Sequence, residues 1–189
     1  MRKRLIGLVP LLLAAYCAAP LAWATTLARM SLVELARAAD SIVRVRCISS
    51  ASRWDNGAIW TFNEFAVVER LKGLPPDRIT VRVPGGRVGH LVTAIEAAPQ
   101  FRPGEETVLF LEKTSMGDFA VTAWAEGTFR IEKNPRTGVQ TVTQDSSRFS
   151  VFDPATRRFS AEGIRGLPLE EFHARLAAAM EQPAPGGSR

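Results

Sequence analysis

Thr107-Val108-Leu109-Phe110-Leu111 is the stretch on which the fold turns. It is a short, unbroken apolar run, and the turn residues Pro103-Gly104-Glu105-Glu106 lead into it. A run of this length without alternation predicts a central strand buried on both faces. Such a strand needs partners on either side. Upstream, Ile42-Val43-Arg44-Val45-Arg46-Cys47-Ile48 alternates, with Val43, Val45 and Cys47 on one face and both arginines on the other. Residues 59–69 form a longer β-type run rich in aromatic and β-branched side chains, ended by Lys72-Gly73-Leu74-Pro75-Pro76-Asp77. Ile79-Thr80-Val81-Arg82-Val83 alternates again and stops at Pro84-Gly85-Gly86. Residues 88–94 form a weaker strand pattern. Downstream, residues 119–125 and 128–132 predict two strands joined at Glu126-Gly127, and residues 140–142 a short last one. Strands this close, with no long helices between them, predict an antiparallel barrel or sandwich.

Helical signals lie only at the ends. Ser31-Leu32-Val33-Glu34 fits a capping box and predicts a short helix that stops near Ala39. A second helix is expected from Pro168, with Leu169, Phe172, Leu176 and Met180 as its apolar stripe and His173 solvated. Between residues 144 and 166 the chain reads as polar and irregular. Residues 182–189, Pro- and Gly-rich, read as a disordered tail.

The start of the chain addresses it. Arg2, Lys3 and Arg4 precede an apolar run over residues 5–22, and Ala22-Trp23-Ala24 supplies small residues at the positions a signal peptidase reads. Cleavage is expected between Ala24 and Thr25, giving a periplasmic or secreted protein with no stable membrane insertion after cleavage. Lipidation of Cys17 would need a small residue where Tyr16 stands, and Pro10 and Pro20 weaken a retained anchor helix. Loss of residues 1–24 removes three basic charges and no acidic ones, so the formal net charge falls from +5 to +2. So small an excess argues against nucleic acid as a partner. Of the two cysteines only Cys47 stays, so no intrachain disulfide framework forms; Cys47 reads as a small core hydrophobe.

Motifs for chemistry are sparse. The two histidines, His90 and His173, belong to no metal-ligand spacing, and no metal or cofactor is expected. No Gly-x-Ser-x-Gly elbow is present. Glu64 and Glu69, an odd number apart, should point to opposite faces of their strand, which argues against a paired acid–base site. Pro84-Gly85-Gly86-Arg87-Val88-Gly89-His90 lacks the Lys-Ser/Thr ending of a phosphate loop and reads as a turn. The better surface candidate is the polar stretch of residues 49–57, read as a loop, where Arg53, Trp54 and Asp55 lie together. Trp60 and Phe62 alternate and are expected on one packed face.

The order of these segments resembles a group of secreted bacterial β-rich proteins of unassigned function. The likeness rests on Ala38-Ala39-Asp40-Ser41-Ile42-Val43, Ser52-Arg53-Trp54, Val67-Val68-Glu69-Arg70-Leu71-Lys72-Gly73, Val81-Arg82-Val83-Pro84-Gly85-Gly86, Phe101-Arg102-Pro103-Gly104-Glu105-Glu106 and Gly127-Thr128-Phe129. More distantly the chain is similar to netrin-like and metalloproteinase-inhibitor-like domains, which implies a five-stranded OB-type barrel. The zinc-chelating N-terminal cysteine of those inhibitors has no counterpart, because the mature chain would begin at Thr25.

The expectation is therefore a mainly β protein: an OB-like antiparallel barrel with a short N-terminal helix and a C-terminal helix. Its parts are a signal peptide (1–24), a β-barrel domain (25–143), an irregular segment with the C-terminal helix packed on the barrel (144–181), and the tail. The expected function is a non-catalytic binding or accessory module acting on another envelope or secreted protein through Arg53, Trp54, Asp55, Arg87 and His90. The alternatives are a glycan or cell-wall binder using Trp54 and Trp60, and a hydrolase with a spatially assembled site around His90.

Overall fold

The computed structural model describes residues 28–154 and 156–182, so the signal segment, the junction between Ala24 and Thr25, and residues 183–189 lie outside the described residues. Gln182 is described, and its carbonyl accepts a hydrogen bond from Arg37 at 3.1 Å. The described chain is mainly β with two α-helices. Helix α1 (Leu32–Ala38) begins in a full capping box: the Ser31 hydroxyl accepts from the Glu34 N–H at 3.2 Å, and the Ser31 N–H donates to the Glu34 carboxylate at 2.7 Å.

Strands β1 (Ser41–Asp55) and β2 (Ala58–Lys72) form one long antiparallel hairpin. The expected loop over residues 49–57 is thus a correction. The strand runs on to Asp55, and only Asn56 and Gly57 turn, both with positive φ (48° and 80°). An Asn-Gly pair in that conformation makes the tight two-residue turn whose twist matches the flanking strands.

The hairpin is not regular. Its register leaves Ile48 on β1, and Val68 and Leu71 on β2, without cross-strand partners. Two of these bulged residues, Ile48 and Val68, are exposed hydrophobics. The bulge at Val68 also corrects the parity argument for Glu64 and Glu69. Glu64 pairs with Ser49 and Glu69 with Arg44, and both face away from Val43, Val45 and Cys47. One inserted residue restores an odd separation to the same face.

After β3 (Arg78–Pro84), the weak strand pattern of residues 88–94 resolves into a small hairpin, β4 (Gly86–Val88) and β5 (Leu91–Thr93), turning at Gly89 and His90. β6 (Glu106–Lys113) carries the apolar run, and residues 107–111 are wholly buried. β7 (Phe119–Val121) and β8 (Thr128–Lys133) both lie antiparallel on one edge of β6, while β1 lies on the other. The pairings β1–β2–β3–β7–β6 return to β1; β3–β7 is parallel and the rest are antiparallel. β9 (Gln140–Gln144) follows β8, and a 3₁₀ turn over Asp145–Arg148 follows β9. Within the stretch expected to be irregular, β10 (Val151–Asp153) and β11 (Arg158–Ser160) pair with each other. β12 (Leu167–Pro168) pairs with β9 and leads into α2 (Leu169–Glu181).

Alternation on β6 feeds two cores. Leu109 and Leu111 join Val43, Val45, Phe65, Val81, Val83, Phe101 and Val121 inside the circuit of strands. Val108 and Phe110 face the other way, against Leu35 of α1 and Phe172 and Leu176 of α2. Phe129 stands between Phe110 and Phe172, with ring centroids 5.3 and 5.0 Å away. The buried stripe of α2 is Leu169, Phe172, Leu176 and Ala179; Met180 is exposed, one position off the expected face. Among the described residues no helix is long and apolar enough to cross a membrane.

Candidate binding site

Beyond Cys47 β1 loses β6 as a neighbour while β2 keeps β3 as far as Trp60, and the candidate residues Arg53, Trp54 and Asp55 lie on this stretch. Ser52 and Trp54 continue the inner face of β1, while Arg53 and Asp55 continue the outer face. Trp54 is about half exposed, at 53 %.

The outer face is a stack of arginines on rings. The Arg53 guanidinium lies 3.7 Å from the Phe62 ring centre. Arg82 reaches the same ring and that of Trp60, at 5.3 and 5.4 Å. Its charge is balanced by Asp118 at 2.6 Å and Asp55 at 3.5 Å. Trp60 and Phe62 do share one face, and the guanidiniums cover it. Arg82 and Asp118, which sequence reasoning passed over, are what hold Asp55.

On the inner face a chain of hydroxyls joins the two segments singled out from the sequence. The Arg87 N–H donates to Ser52 Oγ at 3.2 Å, Ser52 and Thr61 share a bond at 2.9 Å, and Thr61 Oγ1 donates to the Gly85 carbonyl at 2.7 Å. Since Thr61 spends its proton on Gly85, Ser52 is the donor to Thr61, and each hydroxyl both gives and receives. The contact needs glycine. A Cβ on Gly86 would stand 2.3 Å from Ser52 Oγ and 2.4 Å from Thr61 Oγ1, and its φ of 132° is open to few other residues.

β4 and β5 therefore lie against the hairpin, and a groove of about 310 Å³ opens beside them. Its walls are Ser50 and Ser52 on one side and Val92, Ile95, Pro99 and Phe101 on the other. The far wall is anchored through Arg130, which donates to the Gln100 carbonyl at 2.7 Å and to Asp145 through both Nε and Nη2, with Glu105 at 2.8 Å. Arg87 and His90 are exposed on the β4–β5 hairpin, His90 in its turn. The rim is apolar: Leu91 and Val92 are more than half exposed, and Ile95 also reaches solvent. The structure thus brings the Arg53 and Arg87 segments together through Ser52, and adds Leu91, Val92 and Ile95, which carry no sequence signal beyond a weak strand pattern.

Two titratable groups lie away from this end. Cys47 is buried in the inner core; burial, and then the Glu105 carboxylate, push its thiol up against the opposing pull of Arg130. Glu126 is 2 % exposed, inside an excursion of the chain between β7 and β8. Phe110 closes that excursion: its carbonyl accepts from the Thr122 N–H and its N–H donates to the Gly127 carbonyl. Within it Ala123 and Trp124 take positive φ (49° and 50°), a conformation that costs non-glycine residues energy. Gln144 Nε2 donates to both the carbonyl and the carboxyl Oε2 of Glu126, at 2.8 and 3.0 Å, while Oε1 has no well-aligned partner. Burial raises the pKa of Glu126; the nearby Ser146 hydroxyl, the Met30 N–H, the Arg29 charge and Gln144 pull the other way without cancelling it.

His173, expected to be solvated, has a buried Nε2 with no hydrogen-bond partner, 3.9 Å from Glu69. Among the described residues no three His, Cys, Asp or Glu side chains gather to hold a metal ion. No protein-family model and no curated protein matches the chain.

Proposed function

We propose that this chain is an exported, non-catalytic binding module that acts on another envelope or secreted protein through the end carrying Trp54. The framework we infer is an OB-like barrel. What supports it is the five-strand circuit β1–β2–β3–β7–β6, antiparallel except for β3–β7. Export rests on the signal-like residues 1–24.

The observation that carries the binding reading is the clustering of exposed apolar side chains. Trp54, Leu91, Val92 and Ile95 all belong to two hairpins joined at Ser52, or to the chain just after them, beside the groove. Burying such side chains against a partner gains about 25 cal/mol per Å² of apolar surface, so exposing several together is informative where one alone is not. Arg53, Asp55, Arg87 and His90 give this patch its polar rim, the arrangement that stable protein interfaces share. The small mature charge favours a polypeptide over nucleic acid.

The test is a crosslinking capture from native envelope with residues 25–189, wild type against a Trp54→Ala, Val92→Ser double variant. The expected result is a specific partner that the wild type retains and the folded variant releases. If folded variant and wild type retain the same proteins in the same yield, the site is wrong.

A further inference from the structure

We infer that residues 49–55 of β1 are a docking edge for an extended segment of another polypeptide, which joins the sheet as an added strand beside Ser49–Asp55. The inference rests on the binding-module reading and names how the partner is held.

The two halves of β1 differ in their ladders. Residues 41–46 pair with β2 on one side and β6 on the other. The Cys47 N–H and carbonyl are still taken, by the Glu105 carbonyl and the Gly104 N–H, both at 2.9 Å. From Ser49 onward, among the described residues, the only ladder is with β2. An antiparallel strand directs alternate N–H and C=O groups to each side, so this stretch presents a row of backbone groups with no protein partner. Edges of this kind are usually shortened, kinked or interrupted by proline, and residues 49–55 have no bulge and no proline. The bulge at Ile48 falls just before the edge opens.

Side-chain surroundings select the occupant. An added strand alternates faces in step with β1. Its inward side chains would lie beside Ser50 and Ser52, the residues that wall the groove, and meet Val92, Ile95 and Phe101. Its outward side chains would lie beside Ala51 and Arg53. Arg53 rests on the Phe62 ring and has no carboxylate partner among the described residues. Further along that face, Arg44 and Arg46 share the single carboxylate of Glu106, which they hold in its charged form against burial. Beside this stretch the outer-face carboxylates are already engaged, Glu64 by the Ser49 hydroxyl at 3.1 Å and Asp55 by Arg82 at 3.5 Å, so Arg53 is the cation left to a partner, and the rim of the groove is apolar. The partner strand is apolar at every second position and acidic where it passes Arg53, with its main chain supplying the bonds and the groove the specificity.

An eight-residue peptide of alternating valine and glutamate, titrated into residues 25–189 and followed by NMR amide exchange, tests this. The expected result is slowed exchange at alternate amides between Ser49 and Asp55. Two N-methylated versions then separate main-chain pairing from side-chain docking. Methylating the alternate set that faces β1 should weaken binding about tenfold or more, since it removes several main-chain hydrogen bonds at once, and methylating the other set should not. Equal binding of both versions, protection outside residues 49–55, or no protection at any peptide concentration overturns the edge. Protection that grows with protein concentration alone would assign the edge to a second copy and also overturn the proposal as stated. Capture of a partner that still needs Trp54 would leave the binding-module reading standing after such a failure.

Discussion

The two halves of β1 are one strand in two environments. Residues 41–46 have a ladder on each side and a core on each face: Ile42 packs toward the helices, Val43 and Val45 into the circuit of strands, and all three are fully buried. Residues 49–55 have one ladder, hydroxyls on the inner face and arginine on the outer, and only a half-exposed Trp54 as a large apolar group. The bulge at Ile48 marks the change. The difference teaches that the inner half holds the fold; under the proposed function, substitutions in the outer half should cost recognition rather than stability.

The largest blow to the comparison should come from the inner half. Phe110 pairs with Ile42, carries the excursion that holds Glu126, and packs on Phe129. Phe110→Ala is expected to cost about 3–5 kcal/mol of stability, read from urea denaturation. A cost near that of a surface change would mean the helix-side core is not what braces β1.

Gly86→Ala comes next, at about 1–3 kcal/mol, because the new methyl collides with the Ser52 and Thr61 hydroxyls at an unfavourable φ. Its effect should centre on the outer half, as faster amide exchange in residues 50–61. Uniform loss of protection over the whole sheet would place the hydroxyl chain in the global core instead.

Glu126 offers a comparison by pH. Its folded pKa is raised, so above the unfolded carboxyl pKa the native state keeps a proton that the unfolded state has lost. Stability should therefore be full below the unfolded pKa, fall as pH rises from there, and level off above the folded pKa. Glu126→Gln, which keeps the carbonyl oxygen that Gln144 needs, should flatten that part of the profile when thermal midpoints are measured across pH. An unchanged slope would show that the buried carboxyl is already ionised.

The smallest stability effect belongs to Trp54→Ala, expected within about 0.5 kcal/mol by the same urea measurement while partner capture is lost. A cost of several kcal/mol would turn Trp54 into a structural cap.

Much of this was readable along the chain, and the misses share one cause. The capping box at Ser31 and the burial of residues 107–111 follow from neighbours a few residues apart, whereas Pro168, expected in the first turn of its helix, pairs in β12 and stands as the N-cap one residue before it. The Asn56-Gly57 turn was also local; the dipeptide is a hairpin signal, and the polar residues 49–55 masked the strand leading into it. The bulges at Ile48 and Val68 were not legible, because a bulge exists only relative to a partner strand, and with it went the facing of Glu69. Nor did anything near Glu126 announce its burial, which depends on Gln144, Ser146 and Met30.

From the sequence alone came the expectation of export, the β-rich class, the end helices and the candidate residues Arg53, Trp54, Asp55, Arg87 and His90. Period, turn chemistry and capping act over one to four residues, so a linear reading captures them. Only the tertiary structure decided that the Arg53 and Arg87 segments are joined through Ser52, that Leu91, Val92 and Ile95 are exposed beside that contact, and that, among the described residues, Ser49–Asp55 have a ladder on one side alone. Those facts depend on which strands find each other across tens of residues, and an unpaired backbone group is defined by the partner that the rest of the fold does not supply.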